Sequence, residues 1–456
     1  MGSPSLSKLL KMPSSAMSAA LVLLSSTLLV SSVVATVPFN NTFKFVNAGD
    51  FGFFINEYDA SYRAIQIATS PFQVCFYNTT PNAYTLALRL GTARSESLRV
   101  WVWEANRGKP VGENAVFALL SNGNLVLTEA DGRIVWQTNT ANKGVVGFEL
   151  LPNGNMVLYD AKRRFLWQSF DYPTDTLLMN QYLKRGQTSK LVSRASRELN
   201  ANGAYSFVME STQLAMYYTS PVDSRRYQYF SSSKWYFTVK GPLRQVTLIT
   251  SVTEEAVKLY QISLGYQVGN DTSEVPVFTR VRYDTKYSYL RLEMDGNLKI
   301  YVYDDNADSG DAWETAYSLF TRDSFTVTEC ELPSRCGSFG LCLQNQCVAC
   351  PTGNLQSSTG SLLGWNKNCT TQAIKSCSPG DFYYYQLVGV DHFSSQYTQG
   401  EGPTTQAACS SKCTNNCKCQ GFFYHKDSQR CWAVNDLKTL VSVKNNAHVL
   451  SVKTPK

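Results

Sequence analysis

The 456-residue chain is 43% hydrophobic and 17% charged, a globular composition that excludes wholesale disorder. Its length predicts roughly two to four domains. The formal charge of +7 falls to +5 without Lys8 and Lys11, and no dense basic run marks a nucleic-acid stripe; Lys162-Arg163-Arg164 reads as a solvated turn.

The N-terminus has secretory grammar. Lys8 and Lys11 precede an apolar, small-residue run from Ala19 to Val34, and Val33 and Ala35 fit the recognition positions of a cut before Thr36. Residues 1–35 are therefore expected to be a signal peptide. A membrane anchor fits less well, because four serines interrupt the run and no stop-transfer charges follow. No later segment supplies the roughly 18 apolar residues of a membrane helix. The end, Val452-Lys453-Thr454-Pro455-Lys456, is too polar for a lipid-anchor signal. The expectation is a secreted, extracellular chain with no membrane insertion after cleavage. Sequons at Asn40, Asn78, Asn270 and Asn368 predict N-glycosylation.

The front half contains a repeat. Phe117-Ala-Leu-Leu-Ser-Asn-Gly-Asn-Leu-Val-Leu returns 31 residues later as Phe148-Glu-Leu-Leu-Pro-Asn-Gly-Asn-Met-Val-Leu, and 12 of the 22 positions from 117 to 138 are identical in the copy. Register kept that long indicates duplicated structural units. Asn122-Gly123 and Asn153-Gly154, flanked by apolar residues, predict β-hairpins closed by two-residue turns of positive φ. Asp131-Gly132 supplies a further turn before Ile134-Val135-Trp136. Trp103, Trp136 and Trp167 recur with the units, which predicts a threefold all-β body with the indoles in its core. From Gln187 to Phe325 the chain stays strand-like, and Leu290-Arg-Leu-Glu-Met-Asp-Gly-Asn-Leu-Lys-Ile-Tyr301 is another hairpin of the same kind.

Trp103-Glu-Ala-Asn-Arg107, the Asn-Gly-Asn hairpins and Leu166-Trp-Gln-Ser-Phe-Asp-Tyr-Pro-Thr-Asp-Thr-Leu-Leu178 together resemble the bulb-type, mannose-binding lectin domain of plants. These motifs occur in this order in S-locus glycoproteins, lectin receptor kinase ectodomains and epidermis-specific secreted glycoproteins. The resemblance implies a mainly β chain: a bulb-type lectin β-prism over 36–185, a second, divergent lectin-like domain over 186–325, an EGF-like module over 326–372 and an α+β PAN/apple-like domain over 373–456.

The family's sugar site is the strand pattern Gln-x-Asp-x-Asn-x-Val-x-Tyr, whose period of two puts all five side chains on one face. Here the first copy reads Leu120, Asn122, Asn124, Val126, Thr128, and the second Leu151, Asn153, Asn155, Val157, Tyr159. The distal series is Glu293, Asp295, Asn297, Lys299, Tyr301. Each lost hydrogen bond costs about 1 kcal/mol, against a monosaccharide affinity of only about −4 kcal/mol near millimolar. The replacements can therefore erase binding. A surviving site would be Asn153, Asn155, Val157 and Tyr159, with Asn122, Asn124 and Val126 as its weaker counterpart.

Twelve of the 13 cysteines lie between Cys330 and Cys431, which predicts disulfide-stapled modules behind core-stabilised domains. Cys336-Gly-Ser-Phe-Gly-Leu-Cys342 resembles the EGF-like module, which implies Cys330–Cys342, Cys336–Cys347 and Cys350–Cys369, one connectivity among those that six cysteines allow. No acidic calcium signature precedes Cys330. Thr404 to Cys413 reads as a short helix, with strands at Cys417–Tyr424 and Cys431–Val434. That region resembles a PAN/apple domain, which implies Cys409–Cys431 and Cys413–Cys419 and leaves Cys377 for Cys417. A zinc knuckle competes for these spacings, but an oxidising compartment favours disulfides. Cys75 is expected as a buried strand thiol, with an intermolecular bond as the alternative.

No metal or cofactor is expected. The only histidines, His392, His425 and His448, lie in the last module, so a Ser-His-Asp site is excluded from the lectin-like region. The reading is a non-enzymatic wall or apoplast glycoprotein that binds mannose-type glycans, glycoproteins or wall polysaccharide weakly, or has lost sugar binding. A carbohydrate-active enzyme with paired carboxylates and a soluble decoy or co-receptor are the alternatives.

Overall fold

The computed structural model describes residues 36–92, 98–186, 188–234, 241–252, 258–268, 271–282, 287–303, 312–322, 327–349, 369, 374 and 378–456. The first of two strand-built bodies has three sheets. Ser61–Thr69, Phe72–Asn78, Thr85–Leu90 and Val100–Glu104 form one; Phe43–Val46, Val116–Leu119, Leu125–Thr128 and Ile134–Gln137 a second; Gly147–Leu150, Met156–Tyr159 and Phe165–Gln168 the third. Each sheet turns alternate apolar side chains inward, such as Leu88, Leu127 and Leu158, into one common core. Trp103, Trp136 and Trp167 pack edge to face in a triangle, with centroids 5.9, 6.2 and 5.8 Å apart. That geometry favours the positive ring edge against the negative face.

The hairpin turns differ from the two-residue expectation. Gly123 N donates to Leu120 O at 2.8 Å, and Leu120 N donates to Asn124 O at 3.0 Å. Each turn is therefore a three-residue loop with a glycine bulge, in which only the glycine has positive φ: +84° at Gly123, +86° at Gly154 and +88° at Gly296. The residue before the glycine (Asn122, Asn153 or Asp295) is absent from the positive-φ positions and instead accepts a bond from the backbone two residues on, as Asn122 Oδ1 does from Asn124 N at 3.0 Å.

The second body repeats the three-sheet plan by a different route. Thr176–Leu178, Tyr182–Lys184 and Lys190–Arg194 follow one another in the chain, and each adds an edge to a different sheet. Thr176–Leu178 pairs with Ser288–Leu292, Tyr182–Lys184 with Leu243–Val252, and Lys190–Arg194 with Asn202–Met209. The first two precede position 186 yet pair with strands beyond it. The sheet of Ser288–Leu292, Leu298–Tyr303 and Trp313–Ser318 sends side chains into both cores, although Glu314 and Thr315 on its last strand are exposed. Leu290 and Ile300 enter the second core, while Tyr289, Tyr303 and Trp313 enter the first.

In the rear, Phe339–Leu343 pairs with Gln346–Ala349 and, in parallel, with Lys438–Ser442, so this hairpin and the C-terminal segment share a sheet. A second sheet, Phe382–Val388, His448–Pro455, Gly421–His425 and Arg430–Val434, carries the helix Gln406–Thr414, which Thr405 caps through its hydroxyl. Disulfides join Cys330–Cys342, Cys336–Cys347, Cys409–Cys431 and Cys413–Cys419. Cys369 and Cys417 are also disulfide-bonded; Cys350 and Cys377 lie outside the described residues. Cys75 is a buried free thiol, pushed up to about 12 by burial.

Candidate functional site

The strand faces that carry the sugar pattern are occupied by the protein's own side chains. Asn155 Nδ2 donates to Gln168 Oε1 at 2.9 Å, and its Oδ1 accepts from Ser169 Oγ and Phe170 N. Asn124 does the same in the first copy: Nδ2 donates to Gln137 Oε1 at 2.7 Å, and Oδ1 accepts from Thr138 Oγ1 and Thr140 N. Each asparagine clamps its hairpin to the next strand. Val126 is 3% exposed and Val157 0%, so neither offers an apolar contact to a sugar ring. Asn122 and Asn153 spend their carbonyls on the turn. Tyr159 is half-buried beneath Arg163, whose guanidinium lies 4.0 Å from the ring centroid and pairs with Glu149.

In the distal series Tyr301 packs against the first core, while Asp295 stays exposed. Tyr301 stacks on Tyr289 at 4.9 Å and donates to Glu293 Oε1 at 2.8 Å. Burial pushes the Glu293 carboxyl up. Asn297 repeats the clamp through Ser318 Oγ and Phe320 O. On the same face Arg291 pairs with Glu57 and donates to Thr176 Oγ1 and Trp101 O, which fastens the two bodies together.

An open concavity lies elsewhere. The tryptophan triangle, with Trp103 and Trp167 buried and Trp136 half-buried, floors a cavity of about 360 Å³ where the two bodies meet. Tyr172, stacked on Trp167 and more than half exposed, stands at its rim. Asn139 and Thr174 line it from the first body, and Thr188, Lys190 and Asn202 from the second. Beneath it Arg107 bridges Glu104 and Asp175, with the Asp175 contact at 2.8 Å; the guanidinium holds the Asp175 carboxyl below its usual range against the cost of burial. Indole surface beside amides and hydroxyls is chemistry that suits a polyhydroxylated ligand. From sequence the periodic tryptophans read as core packing and not as a ligand platform, so the floor was missed. The wall contributed by residues 188–202 carries no comparable local signal.

Asn40 lies on the exposed turn Phe39–Asn41, and Asn78 ends the strand Phe72–Asn78. Asn270 and Asn368 lie outside the described residues.

Among known proteins, a family model described as D-mannose binding lectin matches residues 100–197. EP1-like glycoprotein 4 of Arabidopsis thaliana is 46% identical over 92% of this chain and 93% of its own length. The epidermis-specific secreted glycoprotein EP1 of Daucus carota is 50% identical over 77% of this chain and 92% of its own. The chain belongs to the EP1-like glycoprotein family. A G-type lectin S-receptor-like serine/threonine-protein kinase of Arabidopsis thaliana is 28% identical over 76% of this chain and 37% of its own length.

This EP1-like chain is thus a secreted glycoprotein with a bulb-type lectin region, mostly β, with a disulfide-rich rear. No helix among the described residues is long and apolar enough to cross a membrane. In the rear of the EP1-like fold, His392 Nδ1 lies 2.7 Å from Ser394 Oγ, but both side chains are buried. Burial drives the imidazole down to about 3, so it stays neutral and acts as packing.

Proposed function

We propose that this EP1-like glycoprotein is a structural or interaction protein of the plant cell wall and apoplast that keeps the lectin fold and has given up the strand-face mannose site. One observation carries the reading: Val157 has no exposed surface, while the neighbouring Asn155 spends its side chain on Gln168, Ser169 and Phe170. A mannoside cannot reach either group without opening the sheet. The test is titration of the secreted protein with methyl mannoside and oligomannose, alongside a glycan array. The expected result is no saturable binding up to about millimolar concentrations, the range of ordinary monosaccharide affinity. Saturable mannoside binding abolished by Tyr159→Ala would overturn it.

A second reading rests on the tryptophan-floored cavity, which favours contact with wall polysaccharide at the junction of the two bodies. Quenching of tryptophan fluorescence by soluble wall polysaccharide, lost in Tyr172→Ala, is its expected signature. Release of reducing sugar from that polysaccharide by pure protein would instead indicate an enzyme.

A further inference from the structure

A second cavity, of about 450 Å³, opens beside the sequon at Asn78. Its lining includes Phe51, Asp59, Asn78, Asn82, Tyr84 and Glu113. The wall is rigid. Arg63 reaches Glu113 through both terminal nitrogens, at 2.8 and 3.0 Å, and donates to Gly49 O and Asn47 Oδ1. The same guanidinium lies 4.5 Å from the Phe51 centroid and 5.0 Å from that of Tyr84. Phe51 is nonetheless 48% exposed, so an aromatic ring held by its cationic neighbour presents free surface toward solvent.

Asn78 itself is incompletely satisfied. Its Nδ2 donates to Thr80 O at 3.1 Å, which leaves a second N–H, while its Oδ1 is buried and has no hydrogen-bond partner. The turn beyond is fixed, because Thr79 Oγ1 donates to Glu198 O at 2.7 Å. An aromatic platform and a cavity with polar walls therefore adjoin the side chain that the sequon marks.

We propose that Asn78 carries an N-linked oligosaccharide whose first N-acetylglucosamine folds back into this cavity against Phe51, making the glycan part of the first body's packing. The donor is a lipid-linked oligosaccharide diphosphate met in the secretory pathway. Asn78 Nδ2 loses one proton and forms the bond to the anomeric carbon; the bond from that carbon to the diphosphate oxygen breaks, and the lipid diphosphate leaves with that electron pair and takes up the proton, directly or through water. The remaining Nδ2 hydrogen keeps the bond to Thr80 O. The apolar face of the sugar covers Phe51, and its hydroxyl and acetamide groups face Asp59, Asn82 and Glu113 of the cavity lining.

The exposed sequon at Asn40 provides an internal control. Secreted protein from a glycosylating host is treated under native conditions with a peptide N-glycosidase, and release at each site is followed by glycopeptide mass spectrometry. Release at Asn78 is expected about tenfold slower than at Asn40, a factor corresponding to roughly 1.4 kcal/mol of docking. Phe51→Ala should remove most of that difference, and Thr80→Ala, which deletes the sequon, should lower Tm more than Thr42→Ala does at Asn40. An unmodified Asn78 in the secreted protein overturns the proposal. Equal release from the two sites of the native protein also overturns it, as does protection that Phe51→Ala leaves unchanged.

Discussion

Asn155 and Gln168 are joined side chain to side chain at 2.9 Å across a 13-residue interval, and Asn124 and Gln137 repeat the bond at 2.7 Å across the same interval. The residue that a sugar-binding strand would offer to a ligand is here turned to the next strand of its own sheet. Duplicated sequence has produced a duplicated clamp.

That clamp sets the first expectation. Asn155→Ala leaves Gln168, Ser169 and the Phe170 N–H without their partner, at a cost of about 2–3 kcal/mol. Asn153→Ala removes a single exposed turn contact and should cost less than about 1 kcal/mol. Urea unfolding followed by tryptophan fluorescence compares the two; equal losses would contradict the assignment.

Restoring the lectin consensus should not restore binding. Leu151→Gln with Asn153→Asp recreates two polar positions, but Val157 stays sealed and Arg163 still covers Tyr159. Calorimetric titration with methyl mannoside is expected to show no heat beyond dilution, whereas a saturable isotherm would mean that the face opens readily.

The two bodies should come apart when Glu57 is neutralised. Glu57→Gln strands the buried Arg291 guanidinium opposite Thr176 and Trp101, and breaking a buried pair in this way costs about 3–5 kcal/mol. Limited proteolysis should then cut near 176–190 faster than in the parent protein, at denaturant levels where the individual sheets persist.

Glu293 sets a pH dependence. Burial raises its folded pKa, so holding it charged costs stability at neutral pH, and that cost disappears as pH falls through the raised value toward the unfolded one. Glu293→Gln should therefore raise Tm at pH 7. The gain should shrink on acidification and vanish below about pH 4.3, the ordinary glutamate value. A gain independent of pH would show that the carboxyl is not carrying the effect.

The rear disulfides should contribute unequally. Cys409–Cys431 spans 22 residues and Cys413–Cys419 spans 6. On chain entropy, replacing the first pair by serines should cost about 1 kcal/mol more than replacing the second, as read by denaturation of the two double variants.

The sequence by itself determined the local devices of this protein. The 31-residue repeat, the glycine turns and the recurring Trp103, Trp136 and Trp167 are short-range patterns, because a hairpin and its inward residues are set by neighbours a few positions away. Even there the loop type escaped: a glycine bulge and a two-residue turn share the Asn-Gly signature and differ in which residues take positive φ. Only the tertiary structure decided where the strand faces point. Asn155 fills its hydrogen bonds through a neighbouring strand, and the face bearing Tyr301 is buried because Arg291 meets Glu57 across 234 residues. It likewise decided that Thr176–Leu178 completes a sheet of the second body and that residues near 190 wall the tryptophan cavity. Such contacts depend on which surfaces meet after the sheets have formed, and local periodicity holds no information about a partner more than a hundred positions away. Fold class was therefore legible in the pattern of residues, whereas access to the sugar-pattern residues was set by packing.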